Sequence, residues 1–337
     1  MNSVLPIGST MPQAFRFVGL DVGGTTMKAA VVDDHGRASP SVSLPTHPER
    51  GQEAGLETMC ETIRRAMTAA DVSLEDVAAI GVATPGTMDL KSGYILDPPN
   101  LKPWHNVPVR DHIAKVFGKP TAFQNDANAA ALGEYWVGAG AGVRSLVMFT
   151  LGTGVGGGII WNGEVIEGEH SHGAELGHMK IEMTNPRLCG CGKRGCLEAY
   201  ASATAVVKRT EEALSDAKPS VLHPILEEKK LTARAIFDAA KAGDALAARI
   251  VDETAAILAL GAANLMHVIN PEMVVFAGGM VEAGDWFLQQ IRRHIPNYAF
   301  PVPAERTQIR FAQLGSDAGF IGAAACARQL VRGAFRR

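Results

Sequence analysis

Apolar positions along the chain group into short dense runs separated by glycine-rich turns and by longer stretches of helical spacing. The run RFVGLDV at 16–22 closes at Gly23-Gly24 and is followed by MKAAVVD at 27–33. Apolar, β-branched runs bounded by glycine predict a strand, a turn and a second strand. The same shape returns in SLVMFTL at 145–151, the turn GTGVGGG at 152–158 and IIWNGEV at 159–165. There Asn162-Gly163 is a two-residue hairpin signal. Two hairpins with glycine-rich, threonine-bearing turns suggest two related lobes, although several glycine turns occur in any α/β protein.

Helical spacing is expected over 52–70, 108–117 and 126–137, alternating with the strands VAAIGVAT at 77–84 and TAFQN at 121–125. Further on the chain turns mostly helical, over 198–215, 232–241 and an alanine-rich run at 244–268. The strand MVVFAGG at 273–279, a helix over 283–294, the strand QIRFAQ at 308–313 and a last helix from Asp317 complete the pattern. Alternating strands and helices predict an α/β fold with layered helices. A lobe boundary is expected near 120–125, in front of the Asn125-Asp126 helix start.

Composition narrows the function classes. At 337 residues the chain exceeds the size at which single cores stop growing, which predicts two domains. A formal net charge of −3 removes the footprint of a nucleic-acid binder. With no apolar run long enough for a membrane span and no signal-peptide pattern at the N-terminus, the expectation is a cytoplasmic protein. Residues 1–15, rich in Gly, Pro, Ser and Thr, read as a loose leader. Of five cysteines, Cys60 and Cys326 sit in helix-like stretches and read as small core residues, whereas Cys189, Cys191 and Cys196 cluster tightly.

Four constellations carry chemistry. In Asp21-Val22-Gly23-Gly24-Thr25-Thr26-Met27-Lys28 the glycine turn exposes backbone N–H groups that can hold phosphate oxygens. Asp21 is placed to orient Mg²⁺ or its water, and Lys28 or the threonines to meet phosphate; such a turn is also common without a ligand. The second, Gly152-Thr153-Gly154 within a run of five glycines, permits close approach of a ligand. It lacks the P-loop ending and opens no helix, so neither a P-loop nor a dinucleotide fold is indicated. Gly278-Gly279 either walls an adenine site or is a simple strand-to-helix turn. The third, Asn125-Asp126-Ala127-Asn128, stands between a strand and a helix. Asp126 there is first of all an N-cap, yet it is also placed as a general base for phosphoryl transfer.

The fourth is the sharpest. His178, Cys189, Cys191 and Cys196 supply one imidazole and three thiolates, the tetrahedral N/S set of Zn²⁺, with glycines between them for a tight loop. Four filled positions leave none open, so the zinc is structural. Glu175 and Glu198 flank this loop and are expected near the His178 ring as a polar wall for sugar hydroxyls; the alternative is two surface glutamates.

Together these pieces resemble the ROK family of sugar kinases and repressors (repressor, open reading frame, kinase). The resemblance covers DVGGT at 21–25, Pro85-Gly86, Asn100, Asn125-Asp126, LGTGVGGG at 151–158, ELGH at 175–178, CGCGKRGCLE at 189–198 and AGG at 277–279. It implies a two-lobed actin-like (ribonuclease H-like) fold with a zinc-binding loop. One lobe would span 16–124 with the C-terminal helix 317–337 returned to it; the other would span 125–316 and carry the zinc loop 178–198. It further implies an ATP-dependent sugar kinase with Asp126 as base on the sugar 6-hydroxyl. Gly86, Asn100, Asn125, Glu175, His178 and Glu198 would hold the sugar. Asp21, Gly23, Gly24, Thr25, Thr26, Lys28, Gly152, Thr153, Gly154, Gly278 and Gly279 would hold Mg²⁺ and ATP. A homodimer is also implied, and no membrane or nucleic-acid partner.

Repressor members carry a DNA-binding segment before the sugar site, which the sixteen residues before Phe17 are too few to form. Three cysteines in the zinc loop lean away from fructokinases toward glucose, N-acetylglucosamine or N-acetylmannosamine. The stretch Asn100-Leu101-Lys102-Pro103-Trp104 resembles that of glucokinases, which makes glucose the expected substrate. Polyphosphate stays open as an alternative donor.

Overall fold

The computed structural model describes residues 15–215 and 219–334. The leader expected over 1–15 lies, Phe15 apart, outside the described residues, as do residues 335–337 of the expected last helix.

Twelve strands are described: β1 (Arg16–Val22), β2 (Thr26–Asp33), β3 (Val42–Pro45), β4 (Val77–Thr84), β5 (Thr87–Asp89), β6 (Tyr94–Asp97), β7 (Thr121–Asn125), β8 (Ser145–Leu151), β9 (Val155–Trp161), β10 (Glu164–Val165), β11 (Met273–Ala277) and β12 (Gln308–Phe311). The α-helices are α1 (Gln52–Ala69), α2 (Val109–Phe117), α3 (Asp126–Val137), α4 (Glu198–Ala201), α5 (Ala203–Ser215), α6 (His223–Glu227), α7 (Ala233–Lys241), α8 (Ala245–Val268), α9 (Asp285–His294), α10 (Pro301–Arg306) and α11 (Ala318–Ala334).

The strands form two five-stranded sheets of one design, ordered β3-β2-β1-β4-β7 and β10-β9-β8-β11-β12, with β5 and β6 as a separate hairpin. In each, an antiparallel hairpin (β1/β2 or β8/β9) carries a third antiparallel strand on its outer edge. Two strands then add in parallel on the other side. The two lobes suggested by the paired glycine turns are therefore repeats of one sheet. Asn162 and Gly163 both take positive φ, 50° and 85°, as the tight turn between β9 and β10 requires.

Both faces of each sheet are covered, which is why the central strands read as unbroken apolar runs rather than alternating ones. Val18, Leu20 and Val22 of β1 join Met59 and Ile63 of α1 in one cluster. On the opposite face Phe17 joins Phe320 and Ala324 of α11. In the second sheet Phe149 of β8 packs with Leu258 of α8 and Ile291 of α9, while Leu146 and Met148 meet Ala131 and Leu132 of α3. Helices α3 and α11 thus lie between the sheets and cross each other, and the crossing is very close. A Cβ on Gly322 would come 1.7 Å from the Ala129 carbonyl oxygen, and one on Gly81 the same distance from that of Ala323.

Boundaries differ from expectation where local capping intervenes. The helix expected over 198–215 is broken at Ser202, which takes extended geometry and accepts the Ala205 N–H at 3.1 Å through Oγ. A serine hydroxyl competes for backbone donors in this way and starts a new helix. The helix expected from 283 begins at Asp285, after a 3-10 segment over Gly279–Ala283. Among the described residues no helix is long and apolar enough to cross a membrane.

Candidate active site

Strand β7 ends and α3 begins at the Asn125-Asp126 step, and the cap is Asn125 rather than Asp126. Its Oδ1 accepts the N–H groups of Ala127 and Asn128 at 2.9 and 3.2 Å, satisfying donors that a helix start leaves open. Asp126 stands one position inside, accepting the Ala127 N–H at 2.8 Å through Oδ1. Freed from sole duty as a cap, the Asp126 carboxylate lines a polar cavity together with Gly86, Asn125, Asn128, Gly157 and Glu175. Burial pushes its carboxyl up to about 6; the nearby Glu175 charge adds to this, and hydrogen bonds from backbone N–H groups oppose it.

The end of β1 faces the same region. Burial raises the Asp21 carboxyl to about 7, the Asp126 charge adds to the rise, and Lys28 opposes it. Asp21 packs against the backbone of α11, where a Cβ on Gly319 would come 2.2 Å from its Oδ2. The turn after Asp21 is closed by Gly23 N–H donating to Thr26 carbonyl at 2.8 Å. Thr25 and Thr26 are exposed. Lys28 is already partnered: its Nζ lies 2.6 Å from Asp317 Oδ1 and 5.3 Å from the Phe320 ring centre. In this structure Lys28 thus holds the start of α11.

The second glycine run has two jobs. Residues 152–154 make the turn between β8 and β9, while Gly156–Gly158 belong to β9 itself. A Cβ on Gly158 would meet Ala131 Cβ at 2.5 Å, and one on Gly157 would meet the Leu176 side chain at 2.3 Å. Half of the run therefore lets β9 press against α3 and the segment at 176–178. Gly152, Thr153 and Gly279 share a cavity of about 380 Å³ with Ala203, Thr232, Arg234, Phe237 and Met280. Its wall combines apolar side chains with the backbone of the glycine turn. Sequence reading found the two turns of this cavity but not its α7 wall, since no feature distinguishes Thr232, Arg234 and Phe237 from ordinary helix residues. Gly278, at φ 93°, seats its backbone against Leu151.

The zinc set assembles as expected. The ligand atoms of His178, Cys189, Cys191 and Cys196 all lie within 4.8 Å of one another. His178 Nδ1 is 3.8 Å from Cys189 Sγ, and Cys191 Sγ is 3.7 Å from Cys196 Sγ. Zinc–sulfur bonds of about 2.3 Å in a tetrahedron imply sulfur–sulfur edges of about 3.8 Å, so the donors fit that ion. Lys180 Nζ lies 2.7 Å from Cys196 Sγ, a cationic donor beside a sulfur that metal binding would ionise. The loop is held outside the cluster by Arg187, whose N–H donates to Tyr200 Oη and whose guanidinium pairs with Glu212.

Glu175 and Glu198 separate. Glu175 lines the Asp126 cavity. Glu198 bridges the cluster and the glycine turn: Oε1 is 3.2 Å from Cys189 Sγ and Oε2 accepts the Val155 N–H at 3.0 Å. Asn100 stands exposed with its backbone carbonyl against Gly24, and its side chain is not among those that line the Asp126 cavity. Of the seven residues expected at the sugar, Gly86, Asn125, Asp126 and Glu175 share one cavity; His178 and Glu198 sit at the zinc loop, and Asn100 at the first glycine turn. The cavity also takes Thr87, Met88, Ser171 and His172. Thr87 and Met88 belong to the short strand β5 and Ser171 and His172 to the loop after β10, and no periodicity or motif marks any of them.

Two sheets of one order, a polar cavity lined by Asp126, Glu175 and the glycines of β9, and a Cys₃His loop define a two-lobed actin-like α/β protein of the ribonuclease H type. The chain belongs to the ROK family, which it matches over residues 17–330. It is 36% identical to a glucokinase of Thermotoga maritima, over 96% of this chain and 100% of that one. It is 38% identical to a glucokinase of Halalkalibacterium halodurans, over 91% and 93%. Among solved structures it resembles a ROK family glucokinase from Streptomyces griseus in complex with glucose and AMPPNP, with a TM-score of 0.76 and 33% identity over 93% and 99% of the two chains.

Proposed function

We propose that this protein is a glucokinase that transfers the γ-phosphoryl group of ATP to the 6-hydroxyl of glucose, with Asp126 as general base. An ATP-dependent hexokinase-type activity follows from its glucokinase relatives and from the related structure that holds glucose and an ATP analogue. The observation that carries the finer reading is a single one. Asp126 lines a polar cavity with a carboxyl raised to about 6, so it is largely ionised at neutral pH yet basic enough to accept a hydroxyl proton.

In this reading Asn125, Gly86 and Glu175 orient the sugar. Asp126 takes the O6 proton as O6 bonds to the γ-phosphorus and the bond to the bridging oxygen of ADP breaks. The glycine turn at 152–154 and the α7 wall seat the nucleotide, and the exposed turn at 23–26 offers N–H and hydroxyl donors to the phosphates. Mg²⁺, when bound with ATP, neutralises phosphate charge; Asp21 is the carboxylate of this chain that would face it. The zinc cluster takes no part in proton or phosphoryl movement. It fixes Glu198 against the Val155 N–H, and so ties the loop to the nucleotide turn.

The test is ADP release from Mg-ATP with glucose, mannose, N-acetylglucosamine, N-acetylmannosamine and fructose. Fastest turnover on glucose supports the reading. Preference for an N-acetylated sugar keeps the mechanism and replaces the substrate. Silence on every sugar, with polyphosphate as well as ATP, leaves a sugar-responsive regulator as the reading.

A further inference from the structure

Asn128 sits within the first turn of α3, is buried, and lines the same cavity as Asp126. Among the described residues its Oδ1 is one of two buried side-chain oxygens or nitrogens with no hydrogen-bond partner; the other is Thr84 Oγ1. Thr84 ends β4 directly opposite Asn125 in the β4/β7 register, so both orphans flank the corner that carries the base. A buried amide oxygen left without a donor is costly and rare, and its presence calls for a partner.

The direction in which Asn128 points is fixed by a chain of donors and acceptors, not by choice of amide rotamer. The Asn125 backbone N–H is only a donor, so the Gln124 atom 2.8 Å from it is Oε1. That leaves Gln124 Nε2 toward Glu167, whose carboxylate Oε1 accepts at 2.8 Å. Gln124 Oε1 also faces the Asn128 amide at 3.4 Å, and an acceptor there requires Nδ2. Flipping Asn128 would set two oxygens against each other. Its Oδ1 is therefore held away from Gln124, as an acceptor without a donor, on a residue of the cavity wall.

We infer that Asn128 Oδ1 is a further sugar contact, accepting a hydrogen bond from one ring hydroxyl of the hexose, and that Gln124 and Glu167 are positioning residues that set its orientation. The inference rests on the sugar site proposed above. It adds a specificity element to it: a site that offers a buried acceptor to a hydroxyl discriminates against an analogue lacking that hydroxyl. Asn125, whose Oδ1 is consumed as the helix cap, cannot supply this acceptor.

The experiment is calorimetric titration of the whole protein with glucose and with 2-, 3- and 4-deoxyglucose, so that affinity is read without turnover. Wild type binding no hexose overturns the sugar site and this inference with it. Where wild type binds glucose, Asn128→Ala is expected to weaken glucose about tenfold. It should leave the affinity of one deoxy analogue unchanged, and the KM for ATP should not move. Equal loss on glucose and every analogue, or no loss on any, overturns the inference and leaves the proposed function standing. Gln124→Met, which frees the Asn128 amide to rotate, is expected to show the same analogue-selective pattern in weaker form. Should either variant melt much earlier than wild type, a crystal structure of wild type with glucose decides: a sugar hydroxyl within 3.2 Å of Asn128 Oδ1 is expected, and a water or protein donor there instead overturns the inference.

Discussion

The Asp126 carboxylate, at the start of α3, lies close enough to Asp21, at the end of β1, to help hold the Asp21 carboxyl at about 7. The two acids come from segments more than a hundred residues apart, and burial acts on both. Their shared environment makes both catalysis and stability depend on pH in defined directions.

In the proposed reaction the ionised form of Asp126 is the competent one. We expect kcat/KM for glucose to fall tenfold per pH unit below an apparent pKa near 6. Asp126→Asn should lower kcat at least ~10²–10⁴-fold while glucose still binds. Retained turnover in a correctly folded Asp126→Asn protein would remove Asp126 from the role of base.

For stability the sign is opposite to that of an ordinary salt-bridged acid. The folded-state value of Asp21 lies above its usual 3.8, so its contribution is fully present below that pH and is lost as pH rises through about 7. Asp21→Asn should therefore raise the melting temperature of the ligand-free protein by several degrees at pH 8 and leave it little changed near pH 4. Melting curves at the two pH values check this, and an equal shift at both would sink the explanation.

Glu175 raises the Asp126 carboxyl by its charge and lines the cavity. Glu175→Gln should weaken glucose about tenfold or more, spare the KM for ATP, and move the acid limb of the pH profile downward. A loss shared equally by both substrates would argue against a sugar contact.

Removing one zinc ligand should remove metal and stability together, because a closed site contributes folding free energy directly. Cys191→Ser is expected to lower zinc content to well under one per chain and to lower the melting temperature. Elemental analysis beside a thermal melt tests it; full stability in a zinc-free wild type would contradict it.

The crossing of α3 and α11 tolerates no side chain at Gly322, where a Cβ would lie 1.7 Å from the Ala129 carbonyl oxygen. Backbone cannot yield as a flexible side chain does, so Gly322→Val should cost about 1–3 kcal/mol or more. Denaturant unfolding measures it directly.

Sequence alone determined what depends on neighbours in the chain. The hairpins at 16–33 and 145–165, the Asn162-Gly163 turn, the helix start at Asn125-Asp126 and the metal set His178, Cys189, Cys191 and Cys196 follow from short-range spacing. Local geometry carries that information: a tight turn needs positive φ, and a zinc loop needs its thiolates a few residues apart. Tertiary structure decided the rest. Which half of the GTGVGGG run forms a turn and which forms a strand depends on how β9 lies against α3 and Leu176. That Lys28 meets Asp317, that Glu198 turns to Val155 and Cys189 while Glu175 turns to Asp126, and that Gln124 orients Asn128 all depend on groups distant in sequence. Burial, which raises Asp21 and Asp126, and the lack of a donor at Asn128 arise only when two sheets and the crossed helices α3 and α11 exclude water from one corner. No residue-by-residue pattern encodes that exclusion.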